Sequence, residues 1–154
     1  MRKKIAIILL CFFASCINPN IKTLDLKNFS ISVPKDWNYN QAKGVDSFVG
    51  DIEGPGITLS FDFSTMGFAN HLSDLEHESQ NVKVDSSGEY IIKTIRPKIA
   101  GKGITGIYIQ SRKSSLNFQM NGRDLAELQQ EQALTAFNTI KIKQKGNGDP
   151  LPFK

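Results

Sequence analysis

Ile57-Thr58-Leu59-Ser60-Phe61-Asp62-Phe63 alternates four apolar residues with three polar ones. Side chains along a strand point to opposite faces with a period of two, so this stretch has one face to bury and one to leave in water. Such alternation belongs to an antiparallel sheet with a core on one side. Upstream, Gly50-Asp51-Ile52-Glu53-Gly54-Pro55-Gly56 reads as a glycine-rich turn, and Val45 to Gly50, carrying Phe48 and Val49, as the strand before it. The two runs predict an antiparallel pair.

Further upstream, Phe29-Ser30-Ile31-Ser32-Val33 has the same period of two, and Pro34 ends it because proline has no N–H for the ladder. Trp37 follows the turn and is expected to cover the edge of the core. Asn38 to Gly44 reads as polar loop. Downstream, Ser64 to Gln80 has two readings. It is either a long loop or a short helix capped by Asn70 and carrying Leu72 and Leu75. Val82 and Val84, a turn at Asp85-Ser86-Ser87-Gly88, and Tyr90 to Ile95 then predict a hairpin closed by Pro97. Gly101-Lys102-Gly103 turns the chain into Ile104 to Gln110, with Ile107 and Ile109 on one face. Leu116, Phe118 and Met120 alternate in one more strand.

The last long element is expected to be a helix. Asp124 is placed to cap it, with Glu127 three residues on as in a capping box. Leu125, Leu128, Ala133, Leu134, Ala136 and Phe137 form its apolar stripe, leaving Gln129, Gln130, Glu131 and Gln132 to water. Ile140 and Ile142 suit a short return strand. The sum is an α+β fold: one antiparallel sheet of about six to seven strands with a C-terminal helix packed on one face.

The N-terminus follows different rules. Arg2, Lys3 and Lys4 precede an unbroken apolar run, Ile5 to Phe13, followed by Ala14, Ser15 and Cys16. A basic start, an apolar stretch and small residues make an export signal. The run is too short for the ~20 apolar residues that cross a bilayer. Phe13-Ala14-Ser15-Cys16 resembles the lipobox of bacterial lipoproteins, with Phe13 where Leu is usual. The resemblance implies that Cys16 becomes the first residue and carries fatty acyl chains such as palmitate on its sulfur and amine. Two or more chains hold a protein to a membrane where one does not. The expected organisation is a signal over 1–15, a lipidated tether over 16–28, one globular domain over 29–143 and a flexible tail over 144–154. Ile17 is not the aspartate that retains such proteins in an inner membrane, so the resemblance points to an outer membrane, on the periplasmic side.

Charge and cysteine content narrow the function. The net charge is +4, but three of the nineteen Lys and Arg lie in residues 1–15, leaving sixteen against fifteen Asp and Glu. A charge of +1 after cleavage argues against nucleic acid as a partner, because that needs a clustered basic surface. Cys11 and Cys16 are the two cysteines, so residues 17–154 offer no disulfide and no thiol nucleophile. His71 and His77 are six residues apart and cannot share a helical face. His71 with Asp74 and Glu78 shares one if that segment is helical, which makes a candidate metal cluster. Asp46, Asp51 and Glu53 lie close along the glycine-rich turn and offer oxygen ligands for Ca²⁺, but without the spacing of a calcium loop. Solvated surface is the simpler account of both groups. No cofactor is expected.

The strand Phe29 to Pro34 followed by Trp37, the later hairpins, and the ending Phe137-Asn138-Thr139-Ile140-Lys141-Ile142 resemble small bacterial PsbP-like proteins. That resemblance implies an α/β sandwich with a non-catalytic binding or assembly role and carries over no functional residues. The expectation is a lipid-anchored envelope module with a protein partner and no enzymatic activity. The alternative is an envelope hydrolase or metal-dependent enzyme that gathers His71, His77, Asp46, Asp51 and Glu53 into one pocket.

Overall fold

The structure, a computed structural model, describes residues 20–75 and 79–143. Ten strands and one helix make up the described residues, as β1 (Ile21–Asp25), β2 (Phe29–Pro34), β3 (Asn38–Gln41), β4 (Phe48–Gly54), β5 (Ile57–Ser64), β6 (Gln80–Ser87), β7 (Tyr90–Pro97), β8 (Ile104–Ser111), β9 (Asn117–Arg123), α1 (Glu127–Phe137) and β10 (Lys141–Ile142). Seven of the strands form one antiparallel sheet in the order β3-β4-β5-β9-β8-β7-β6, and the other three form a second sheet, β1-β2-β10. The α+β expectation stands at this level, with two sheets in place of one.

The stretch 57–63 lies near the middle of the large sheet. Phe63 faces Phe48 on one side and Phe118 on the other, and the row continues through Ile109 to Ile92. These residues belong to the main core with Phe29, Ile31 and Val33 from β2 and with Ala133, Ala136 and Phe137 from α1. Phe29 joins the two sheets, its ring 5.0 Å from Phe61 and 4.8 Å from Phe118. Both spacings fall in the range where aromatic edges and faces attract. The small sheet and the helix therefore cover one face of the large sheet, called here the inner face.

Several expectations are corrected. The tether over 16–28 gives way at Ile21–Asp25 to β1, which pairs with β2 from Ile21–Pro34 to Asp25–Ser30. Its burial alternates weakly, so a run of lysine, threonine and aspartate hid an edge strand. Asn38 to Gly44 is not all loop, since Asn38–Gln41 pairs with β4. The glycine-rich turn shrinks to Pro55 and Gly56, because β4 runs to Gly54. Its glycines serve packing. A Cβ on Gly54 would stand 2.2 Å from the buried Trp37 ring, and one on Gly50 would meet Tyr39 and the Asn40 carbonyl at 2.7 Å. Glycine within a strand often marks such a close approach.

The helix also differs in its details. It begins at Glu127 with Ala126 as N-cap and no side-chain cap. Asp124 instead adopts φ 51° and clamps the β7–β8 turn. Its carboxylate accepts from the Gly103 N–H at 2.7 Å, and its own N–H donates to the Gly103 carbonyl at 2.8 Å. The buried face of α1 runs through Gln130, Ala133, Ala136 and Phe137, while Leu128 is 66% exposed. Gln130 was expected in water. It is buried over Thr105, to whose hydroxyl its Nε2 donates at 3.4 Å. At the other end Thr139 ties the helix to β2, accepting from the Ser32 N–H at 2.8 Å and donating to the Ala136 carbonyl at 2.6 Å.

Candidate functional site: a loop across the outer face

Alternation places the polar partners of 57–63 on the other face of the large sheet. There Asp62 faces Gln119, Gln119 faces Tyr108, and Tyr108 faces Lys93. A strand face this polar is normally left to water, but here residues 65–75 cross it. Of the two readings for this segment, the loop holds. Turns replace a helix, and Gly67 and Ala69 both have positive φ. At Ala69 that conformation costs energy because its Cβ crowds the backbone, so the surroundings must impose it.

The fastenings are specific. Leu72 is buried against Ile95 and Tyr108, with Leu75, Val82 and Ile104 around it. It lies above Gly106, where a Cβ would come within 3.0 Å of its Cδ1. The Leu72 N–H donates to Gln119 Oε1 at 3.1 Å. Asn117 Nδ2 donates to the carbonyls of Gly67 (3.1 Å) and Phe68 (3.0 Å), while its Oδ1 accepts from the Tyr108 hydroxyl at 3.2 Å. Lys93 Nζ donates to the Ser73 carbonyl at 2.6 Å, and the Gly67 N–H donates to the Ser115 carbonyl at 2.8 Å. The polar row of the sheet has become the floor that holds the loop, which explains why both faces of β8 are buried. The Tyr108 hydroxyl is held above the usual tyrosine range, first by burial and then by the Asp74 carboxylate. Asp62, farther along the face, has one buried carboxylate oxygen with no donor among the described residues.

Fastened this way, the loop presents apolar side chains outward. Met66 is 64% exposed and Phe68 is 50% exposed. Three clefts border it. One, of about 530 Å³, is lined by Asn70, Ser73, Asp74, Lys93, Gln110 and Asn117. A second, of about 550 Å³, lies between Met66, Phe63 and the 42–47 loop, where Val45 stands almost fully exposed and Lys43 and Lys27 line the rim. A third, of about 590 Å³, has Phe63, Tyr90 and Leu116 in its floor and Lys27, Glu89 and Lys143 around it. Lys143 is engaged there by Asp25 at 2.7 Å and the Leu26 carbonyl at 2.6 Å. The loop thus sets exposed apolar side chains beside concave surface.

The residues named as alternative chemistry are scattered. Asp46 lines the cleft beside Met66. Asp51 accepts from the Ser60 hydroxyl at 2.6 Å in mid-strand, and Glu53 accepts from Asn40 at 2.8 Å farther along. His71 and Asp74 sit in exposed turns of the crossing loop. His77, Glu78 and Cys16 lie outside the described residues. Among the described residues no three His, Cys, Asp or Glu come close enough to hold a metal ion, and no helix is long and apolar enough to cross a membrane. Sequence reasoning missed Asn117, Gln119 and Tyr108. Their signal was present as polar residues alternating with Phe118, Met120, Ile107 and Ile109, but nothing in it named the segment they bind. No family model matches this chain, and no curated protein matches it.

Proposed function

We propose that this chain is a lipid-anchored cell-envelope protein acting as a non-catalytic binding or assembly module for another envelope protein. The observation that carries the binding part is the crossing loop, whose Met66 and Phe68 are held out to solvent by buried side chains beneath. Exposed apolar groups fixed in place are what a partner surface desolvates most readily.

The Phe13-Ala14-Ser15-Cys16 sequence supports the anchor. The direction of β1 suits it. The Lys35 N–H donates to the Asn20 carbonyl at one end of the strand, while Lys27 and Asn28 line the clefts beyond the other. About five strand residues, roughly 16 Å, separate the two ends. An attachment upstream of Asn20 is compatible with Met66, which shares a cleft with Lys27, facing away from the lipid. An outer-membrane, periplasm-facing location is part of the proposal, and the layering of two sheets and a helix suits a PsbP-like sandwich.

Two variants test the parts separately. Cys16→Ser is expected to lose fatty-acid label, and equal label on wild type and variant refutes the anchor. Met66→Ser with Phe68→Ser is expected to keep the label and the fold but lose the co-purifying envelope partner. Retention of the same partner refutes the binding role of the loop.

A further inference from the structure

The large sheet ends in two unequal edges. β3 is four residues long, whereas β6 runs for eight, Gln80 to Ser87. β6 pairs with β7 in unbroken register from Gln80–Pro97 to Ser87–Tyr90, without a bulge, and among the described residues no strand lies on its other side. It is largely exposed, with Val84 at 58%. An edge strand of this length and regularity leaves a row of backbone donors and acceptors open to another strand.

From this edge we infer that the protein pairs with a second copy of itself, β6 against β6 and antiparallel, about a two-fold axis at Val84. The side chains select that occupant and that register. With the axis at Val84, Val84 faces Val84, Lys83 faces Asp85 of the second copy, and Asp85 faces Lys83. Val82 then faces Ser86, and Asn81 faces Ser87. Moving the axis to Lys83 sets lysine against lysine, and moving it to Asp85 sets aspartate against aspartate. Directly opposed like charges destabilise a pair of strands and opposite charges stabilise it. Lys83 and Asp85 already pair at 2.8 Å within one strand, so the dimer closes them into a ring of four alternating charges. A lone lysine on an edge normally wards off a second copy. Asp85, two residues on and on the same face, turns that repulsion into recognition. A cleft of about 250 Å³ beside the edge, with Ile92, Ile107 and Phe137 in its wall, is covered from the open side by the same pairing.

The inference stands apart from the binding role of the loop, which lies at other residues. It is tested on the full-length chain in detergent by sedimentation over a range of concentrations. Wild type is expected to reach a dimer. Lys83→Asp or Asp85→Lys alone should weaken it by about tenfold or more, and Lys83→Asp with Asp85→Lys together should restore it. Both positions are exposed, and an unchanged circular-dichroism spectrum confirms the fold of each variant. In a Cys11→Ser, Cys16→Ser background, Val84→Cys should form a disulfide-linked dimer on mild oxidation, whereas Asn81→Cys should not. A monomer at every concentration, a dimer indifferent to charge reversal, a double reversal that fails to restore it, or capture by β6 of an extended peptide instead of a second copy overturns the inference.

Discussion

The inner and outer faces of the large sheet are built from the same strands, yet they are covered by different means. The inner face is apolar row by row and is closed by the small sheet and the helix, elements with their own hydrophobic stripes. The outer face is polar along β5 and β9 and is closed over β7 and β8 by a loop that brings one buried leucine and a set of backbone carbonyls. Apolar burial is non-directional and tolerates any partner of the right shape. Hydrogen bonds from Asn117, Gln119 and Lys93 are directional, and they hold the loop in the conformation that exposes Met66 and Phe68.

Emptying one buried site on each face separates their contributions to stability. Phe61→Ala removes a buried ring that touches Phe29, Tyr39 and Phe48. It should lower stability by roughly 3–5 kcal/mol, seen as a lower urea midpoint for the whole domain. Leu72→Ala should cost less, about 2 kcal/mol at the low end for a buried leucine, because the loop can lift without unfolding the sheet. The distinguishing readout is hydrogen exchange. Amides of 65–75 should lose protection while those of β5 and β9 keep theirs. Loss of protection throughout would show that the two faces form one cooperative unit.

The smallest effect sharpens the polar side. Tyr108→Phe deletes one hydrogen bond to Asn117 and should cost about 1 kcal/mol at neutral pH. Because burial and Asp74 raise the Tyr108 pKa, the folded state holds the phenol proton more tightly than the unfolded chain. Its contribution is complete below the unfolded value near 10 and declines as pH rises toward the folded value. The wild type should therefore lose stability above about pH 10 more steeply than Tyr108→Phe, as measured by thermal midpoints across pH 8 to 11. Parallel curves would remove Tyr108 from the account.

The contrast between the faces also explains what was legible in the sequence. The inner face follows from the period of two in 57–63, in Phe29 to Val33 and in Leu116 to Met120, because burial acts on each residue separately. The edge strand β1 was hidden by its polar composition, since an exposed edge needs little burial to pair. The helix start misled because Asp124 has the chemistry of a cap, while its φ of 51° and the nearby Gly103 N–H put that carboxylate to another use. The stripe of α1 misled because Gln130 is buried where Leu128 fits the pattern as well. The site was the least legible part. Asn117 and Leu72 lie 45 positions apart, and only the completed sheet brings the loop onto its floor.

The central claim is that the crossing loop, and not the helix side of the molecule, carries the contact with a partner. The direct test places a photo-activated cross-linker at Phe68 and, in a separate chain, at Leu128, which is more open to solvent on the outside of α1. Both chains are irradiated in their own envelopes. A discrete adduct from position 68 and none from position 128 is the predicted result. Equal adducts from both positions, or an adduct from 128 alone, would contradict it.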